Sequence, residues 1–87
     1  MSKVVIYTIA TCSYCRAAKE LLNARKIPFD EIRVDVDANK REEMERKSRR
    51  RTVPQIFIND QAIGGYDDLA ALAKSGKLNE LLSHSTK

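Results

Sequence analysis

Cys12 and Cys15 are the only cysteines in the chain, and three kinds of chemistry use a pair at this spacing. A closed zinc site normally takes four ligands. Beyond the pair the sequence holds one histidine, His84, so an intramolecular metal site stays incomplete. A structural disulfide inside Cys-x-x-Cys closes a very short loop and removes little chain entropy. A redox-active thiol pair gains from position. The stretch "YTIATCSYCRAAKELL" runs from an apolar segment through both cysteines into helical spacing, which puts Cys12 at a helix start and Cys15 one turn inside. Backbone N–H groups and the helix dipole favour a negative sulfur at Cys12, and the thiolate is the form that attacks disulfides. Cys15 is expected to be more buried, to hold its proton longer and to act as the second thiol. Arg16 is either a further cation near this sulfur or an ordinary solvated helix residue.

The elements that must position the pair follow from pattern. "KVVIYT" (3–8) is an apolar, β-branched run that reads as a buried strand. Cys15, Ala18, Leu21 and Leu22 recur at helical spacing to about Arg25, and Pro28 bars continuation. "FDEIRVDV" alternates and predicts a second strand, with Phe29, Ile32, Val34 and Val36 contributing unequally to the core. "NKREEMERKSRR" reads as a charged helix anchored by Met44. "QIFIND" and "QAIGG" form a hairpin around Asn59-Asp60. From Tyr66 the pattern is helical, with Leu69, Leu72 and Ala73 on one face and Gly76 as terminator, and "KLNELLSH" makes a last short helix. The order βαβ, helix, hairpin, helices gives an α/β fold with a four-stranded mixed sheet flanked by helices.

Composition bounds the function. With 87 residues, 43% hydrophobic and 32% charged, the chain reads as one small globular domain, residues 1–87. No apolar run approaches the roughly 18 residues that span a bilayer. The opening "MSKVVIYTIA" is too short for a signal peptide, so a cytoplasmic protein with no membrane partner is expected. The net charge of +4 concentrates in "RKSRRR" (46–51). That block reads as a solvated helix end complementing the dipole. Glu42, Glu43 and Glu45 blunt it, and the absence of Trp leaves few stacking platforms, so nucleic acid is not expected as a partner.

Three segments, "TCSYC", "TVPQIFI" and "IGGYDDL", in this order and spacing, resemble the dithiol glutaredoxin family, nearest to its small bacterial glutaredoxin 3 type, from Val4 to about Leu82. The resemblance implies a thioredoxin-like fold. It also implies a monomeric glutathione-dependent thiol–disulfide oxidoreductase, with Cys12 and Cys15 catalytic and glutathione as reductant and cosubstrate. Its partners would be glutathionylated or disulfide-containing proteins. The same resemblance assigns glutathione contacts to Tyr14, Arg41, Thr52, Val53, Pro54, Gly65, Asp67 and Asp68. Pro54 would follow a cis bond and leave the Val53 backbone open to pair with an extended peptide; taken alone, it reads as a strand start. The Asp67 N–H and the Asp68 carboxylate would take the γ-glutamyl carboxylate and ammonium, although Asp at a helix start also serves as a cap. Arg41 either meets the glycyl carboxylate or is an ordinary charge on a charged helix.

Two positions depart from the family pattern: Ile9, where a Lys is frequent, and Ser13, where a Pro is common. Ile9 removes a cation near the sulfur, and Ser13 restores a backbone N–H. The alternative function is a [2Fe–2S] cluster shared by two chains, with Cys12 of each and two glutathiones as ligands; Ser13 is compatible with it.

Overall fold

The computed structural model describes residues 3–84. Its elements are β1 (Val4–Thr8), α1 (Ser13–Ala24), β2 (Asp30–Arg33), α2 (Ala38–Ser48), β3 (Gln55–Ile58), β4 (Gln61–Gly64), α3 (Tyr66–Ser75) and α4 (Lys77–His84). The sheet order is β2-β1-β3-β4, with β1 parallel to β2 and antiparallel to β3. This is the mixed four-stranded sheet that the βαβ start and the hairpin predict.

Because side chains alternate along a strand, the central strands feed two cores. Val4, Ile6, Ile56 and Ile58 point to one face and pack with Ala18 and Leu22 of α1, Leu69 and Ala73 of α3, and Leu78 of α4. Tyr7 and Phe57 point to the other, where Met44 of α2 and Val34 cover them. Each fully buried Leu, Ile or Met removes enough apolar area to contribute about 1.5–3 kcal/mol. The larger core therefore fixes α1 and α3, the two helices whose N-terminal ends carry the expected site. Tyr7 ties the thinner layer together: its hydroxyl donates to Glu43 of α2 at 2.6 Å, and its ring meets Phe57 edge-on.

The turns are local chemistry. Asn59 and Asp60 both take left-handed φ between β3 and β4, as a two-residue hairpin requires. Gly76 ends α3 at φ +85°. The second strand is shorter than the alternation suggests. It stops at Arg33, where Asp35 bends the chain by accepting two bonds from Arg33 and one from the Ala10 N–H. Val34 is still buried, but Val36 lies beyond the bend and is 75% exposed. Val36 is therefore no part of the core, contrary to the expectation from period alone.

Candidate active site

Cys12 is the N-cap of α1, in extended backbone conformation. Its sulfur takes the place of the usual Ser or Asp oxygen at a helix start, accepting the Cys15 N–H at 3.1 Å. An orphan helix donor thus points at the reactive atom, which favours negative charge there. In the thiol form the S–H donates to the Val53 carbonyl, 3.7 Å away.

Cys15 lies one turn inside and is only 1% exposed. Burial pushes its thiol up to about 12, and the hydrogen bond with the Cys12 sulfur adds to the rise. The two sulfurs are therefore not equivalent: one stands at a helix end open to solvent, the other is held protonated in the core. Both are free thiols. Alkylation of the native protein at pH 8 should therefore add one label per chain, on Cys12, with Cys15 labelled only after denaturation. Peptide mass mapping checks this, and equal labelling of both would contradict the burial of Cys15.

A groove of about 260 Å³ lies on one side of this pair. Thr52, Val53 and Pro54 form one wall, from the segment leading into β3. The Val53–Pro54 bond is cis. Among the described residues Val53 makes no backbone–backbone hydrogen bond, so its N–H is available as a strand edge and its C=O is engaged only by the Cys12 S–H. Gln55 anchors this wall from within: its buried amide donates to both the carbonyl and the hydroxyl of Thr52, at 3.0 and 3.1 Å. Gly65, Tyr66, Asp67 and Asp68, at the start of α3, form the opposite wall. Tyr14 leans over from α1, with its ring centroid 6.1 Å from that of Tyr66. Asp68 caps α3 by accepting the Gly65 N–H at 3.1 Å.

The structure thus brings together every expected binding residue except Arg41. Arg41 is not a lining residue. Its guanidinium pairs with Glu45 at 3.3 Å and donates to the Arg51 carbonyl at 3.0 Å, just before Thr52. Two lining residues escape sequence reasoning. Tyr66 reads only as the first residue of a helix, and Arg50 reads as part of a solvated charge block. Arg50 in fact reaches Asp68 at 3.3 Å.

On its other side, Cys12 opens into a wider hollow of about 480 Å³ that includes Ile9, Ser13, Arg16 and Lys19. Ile9 supplies no cation here, but Arg16 and Lys19 do. Lys19 is held by Glu31 at 2.9 Å, and Glu31 also accepts from the buried Thr8 hydroxyl at 2.6 Å, which holds its carboxyl below the usual range. Arg16 is largely exposed and only 3.9 Å from Glu20. Arg16 is thus a solvated residue that lines the same hollow as Cys12. Among the described residues no three His, Cys, Asp or Glu side chains converge as metal ligands. No helix among them is long and apolar enough to cross a membrane.

Comparison with known proteins gives a consistent result. The family model described as Glutaredoxin matches residues 4–63. Glutaredoxin 3 of Escherichia coli K12 is 54% identical over 82 residues, covering 94% of this chain and 99% of that protein. The solution structure of glutaredoxin from Brucella melitensis superposes with a TM-score of 0.83 at 44% identity, over 98% of this chain and 92% of that one. A buckwheat glutaredoxin–glutathione complex superposes with a TM-score of 0.86 at 26% identity, over 95% and 78% of the two chains.

Proposed function

The chain belongs to the glutaredoxin family, and on that premise we propose that it is a glutathione-dependent oxidoreductase. Its substrates are protein–glutathione mixed disulfides and protein disulfides. One observation carries this reading: the capping sulfur of Cys12 lies 3.7 Å from the Val53 carbonyl, on the wall of a groove that ends in the Asp68 carboxylate.

The groove's chemistry suits a γ-glutamyl tripeptide. Val53 offers an N–H and a C=O to the backbone of the ligand's cysteine residue, as one added strand. The first N–H groups of α3, Asp67 among them, suit a carboxylate. The Asp68 carboxylate suits an ammonium. Tyr14 packs against the ligand. These groups touch only the tripeptide, so the protein attached to its sulfur is free to vary.

Cys12 then works as nucleophile. Its thiolate attacks the glutathionyl sulfur of the mixed disulfide, the protein thiolate leaves, and the S–S bond is now between Cys12 and glutathione. A second glutathione thiolate attacks that glutathionyl sulfur, releasing oxidised glutathione and the Cys12 thiolate. Ionisation of Cys12 also removes the S–H donated to Val53, leaving that carbonyl free for the ligand. With a protein disulfide, Cys12 bonds to one substrate sulfur and Cys15 displaces it, giving an internal disulfide that two glutathiones reduce. Such a cycle needs a pool of reduced glutathione, which a reducing cytoplasm would supply.

The test compares one peptide carrying its cysteine as a glutathionyl or as a cysteinyl mixed disulfide, assayed with glutathione and glutathione reductase. The glutathionyl form should be preferred at least about tenfold in kcat/KM, because only it fills the polar contacts of the groove. Equal values for the two would overturn the reading.

A further inference from the structure

Arg50 stands in the groove without a role in the cycle above. It comes from the loop between α2 and β3, while its partner Asp68 belongs to the first turn of α3. Its position is built rather than incidental. Arg49, before it, turns the chain through left-handed φ of +61° while its N–H caps α2 on the Glu45 carbonyl. Ser48 then ties Arg50 to the helix end, its hydroxyl donating to the Met44 carbonyl at 2.7 Å and accepting the Arg50 N–H at 3.1 Å.

The hydrogen bonding of the pair is unbalanced in an informative way. Both bonds to the Asp68 carboxylate, from Arg50 Nη1 at 3.3 Å and from the Gly65 N–H at 3.1 Å, fall on Oδ2. Among the described residues Oδ1 has no donor. The Arg50 guanidinium carries five N–H donors in a planar fork, and only Nη1 is used. One vacant acidic oxygen and several vacant guanidinium donors therefore sit side by side, half exposed at 48% and 56%, on the wall of one groove. That is the charge pattern of an α-amino acid head in reverse: an acceptor for its ammonium next to a fork for its carboxylate.

We propose that Arg50 is a specificity-determining residue that reads the α-carboxylate of the γ-glutamyl head while Asp68 takes the ammonium, so that the pair recognises the zwitterion as a unit. The inference rests on the glutathione reading above and deepens it. It assigns the carboxylate a charged partner in addition to the helix N–H groups, and bidentate guanidinium–carboxylate contacts are among the stronger polar ones. The Arg50–Asp68 bond orients both groups before the ligand arrives, so little side-chain ordering remains to oppose binding.

The experiment is a cycle between variant and substrate. Wild type, Arg50→Gln and Arg50→Lys are assayed on a glutathionylated peptide and on the same peptide carrying the tripeptide without its α-carboxylate. Circular dichroism checks that each variant is folded. On the glutathionylated peptide, Arg50→Gln should raise KM about three- to fivefold with little change in kcat, and Arg50→Lys should recover part of the loss. On the decarboxylated analogue, wild type and Arg50→Gln should share one KM. A KM increase of equal size on both substrates would make Arg50 a structural residue, and a lower KM in Arg50→Gln would make it a competitor for Asp68; either overturns the proposal. Failure of the broader reading looks different: wild type itself would not distinguish glutathionyl from cysteinyl peptide.

Discussion

Cys12→Ser should show no measurable turnover of either substrate class, a loss of at least about a thousandfold, in the coupled glutathione assay. The hydroxyl that replaces the sulfur is not a nucleophile towards disulfides at neutral pH, since exchange proceeds through a thiolate. Cys15 cannot stand in, being 1% exposed and held as the thiol up to about 12. Cys15→Ser should behave differently: removal of glutathione from protein mixed disulfides should persist, and reduction of protein disulfides should fail. The distinction follows from where Cys15 enters. Once Cys12 is bonded to a substrate protein, its sulfur no longer carries the charge or the hydrogen bond that help to keep Cys15 protonated. Burial alone then opposes ionisation, and Cys15 attacks Cys12 as the substrate sulfur leaves and takes up the proton. A Cys12→Ser enzyme that stayed active beside an inactive Cys15→Ser enzyme would reverse the assignment.

Gly64→Ala should be the most damaging single-methyl change in the molecule. Gly64 closes β4 opposite Ile56, at φ +119°, a conformation that side chains rarely adopt and that costs of order 1–3 kcal/mol when forced. A Cβ there would also fall on the carboxyl group of Asp68. Moving that carboxyl breaks its bond to the Gly65 N–H, a cap worth about 1 kcal/mol. For a domain of this size each kcal/mol shifts Tm by about 4–8 °C, so a fall of roughly 10–30 °C is expected in calorimetry. The folded fraction should also lose preference for glutathionyl over cysteinyl peptide, because Asp68 is displaced. An unchanged Tm would show that β4 can relax around the methyl group and would remove this account.

Both effects depend on groups with different degrees of local encoding. Cys12 and Cys15 announce themselves: a helix start and a spacing of three set one sulfur at the cap and the other in the core, whatever the rest of the chain does. Asn59-Asp60, Gly76 and Pro28 mark turns for reasons confined to their own backbone. Val36 shows where such reasoning fails. It continues an alternating pattern, yet Asp35 ends the strand by bonding back to Arg33 and to the Ala10 N–H, and the neighbour that supplies Ala10 is distant in sequence. Arg50 and Arg41 show the same failure at the site. Both are arginines of a charged region, and no property of either side chain says which will enter the groove.

The sequence by itself determined the local chemistry of this protein: which segments coil or extend, where they turn, and which sulfur caps a helix. Those choices rest on steric preference and on hydrogen bonds between residues a few positions apart. Only the tertiary structure decided what faces what. The order β2-β1-β3-β4 carries the Val53 edge to the Cys12 sulfur, 41 residues away, and the start of α3 to Arg50, 18 residues away. Packing of α1 and α3 against one sheet face holds them there. The groove exists because buried apolar area, which has no direction of its own, is satisfied only when those distant segments meet.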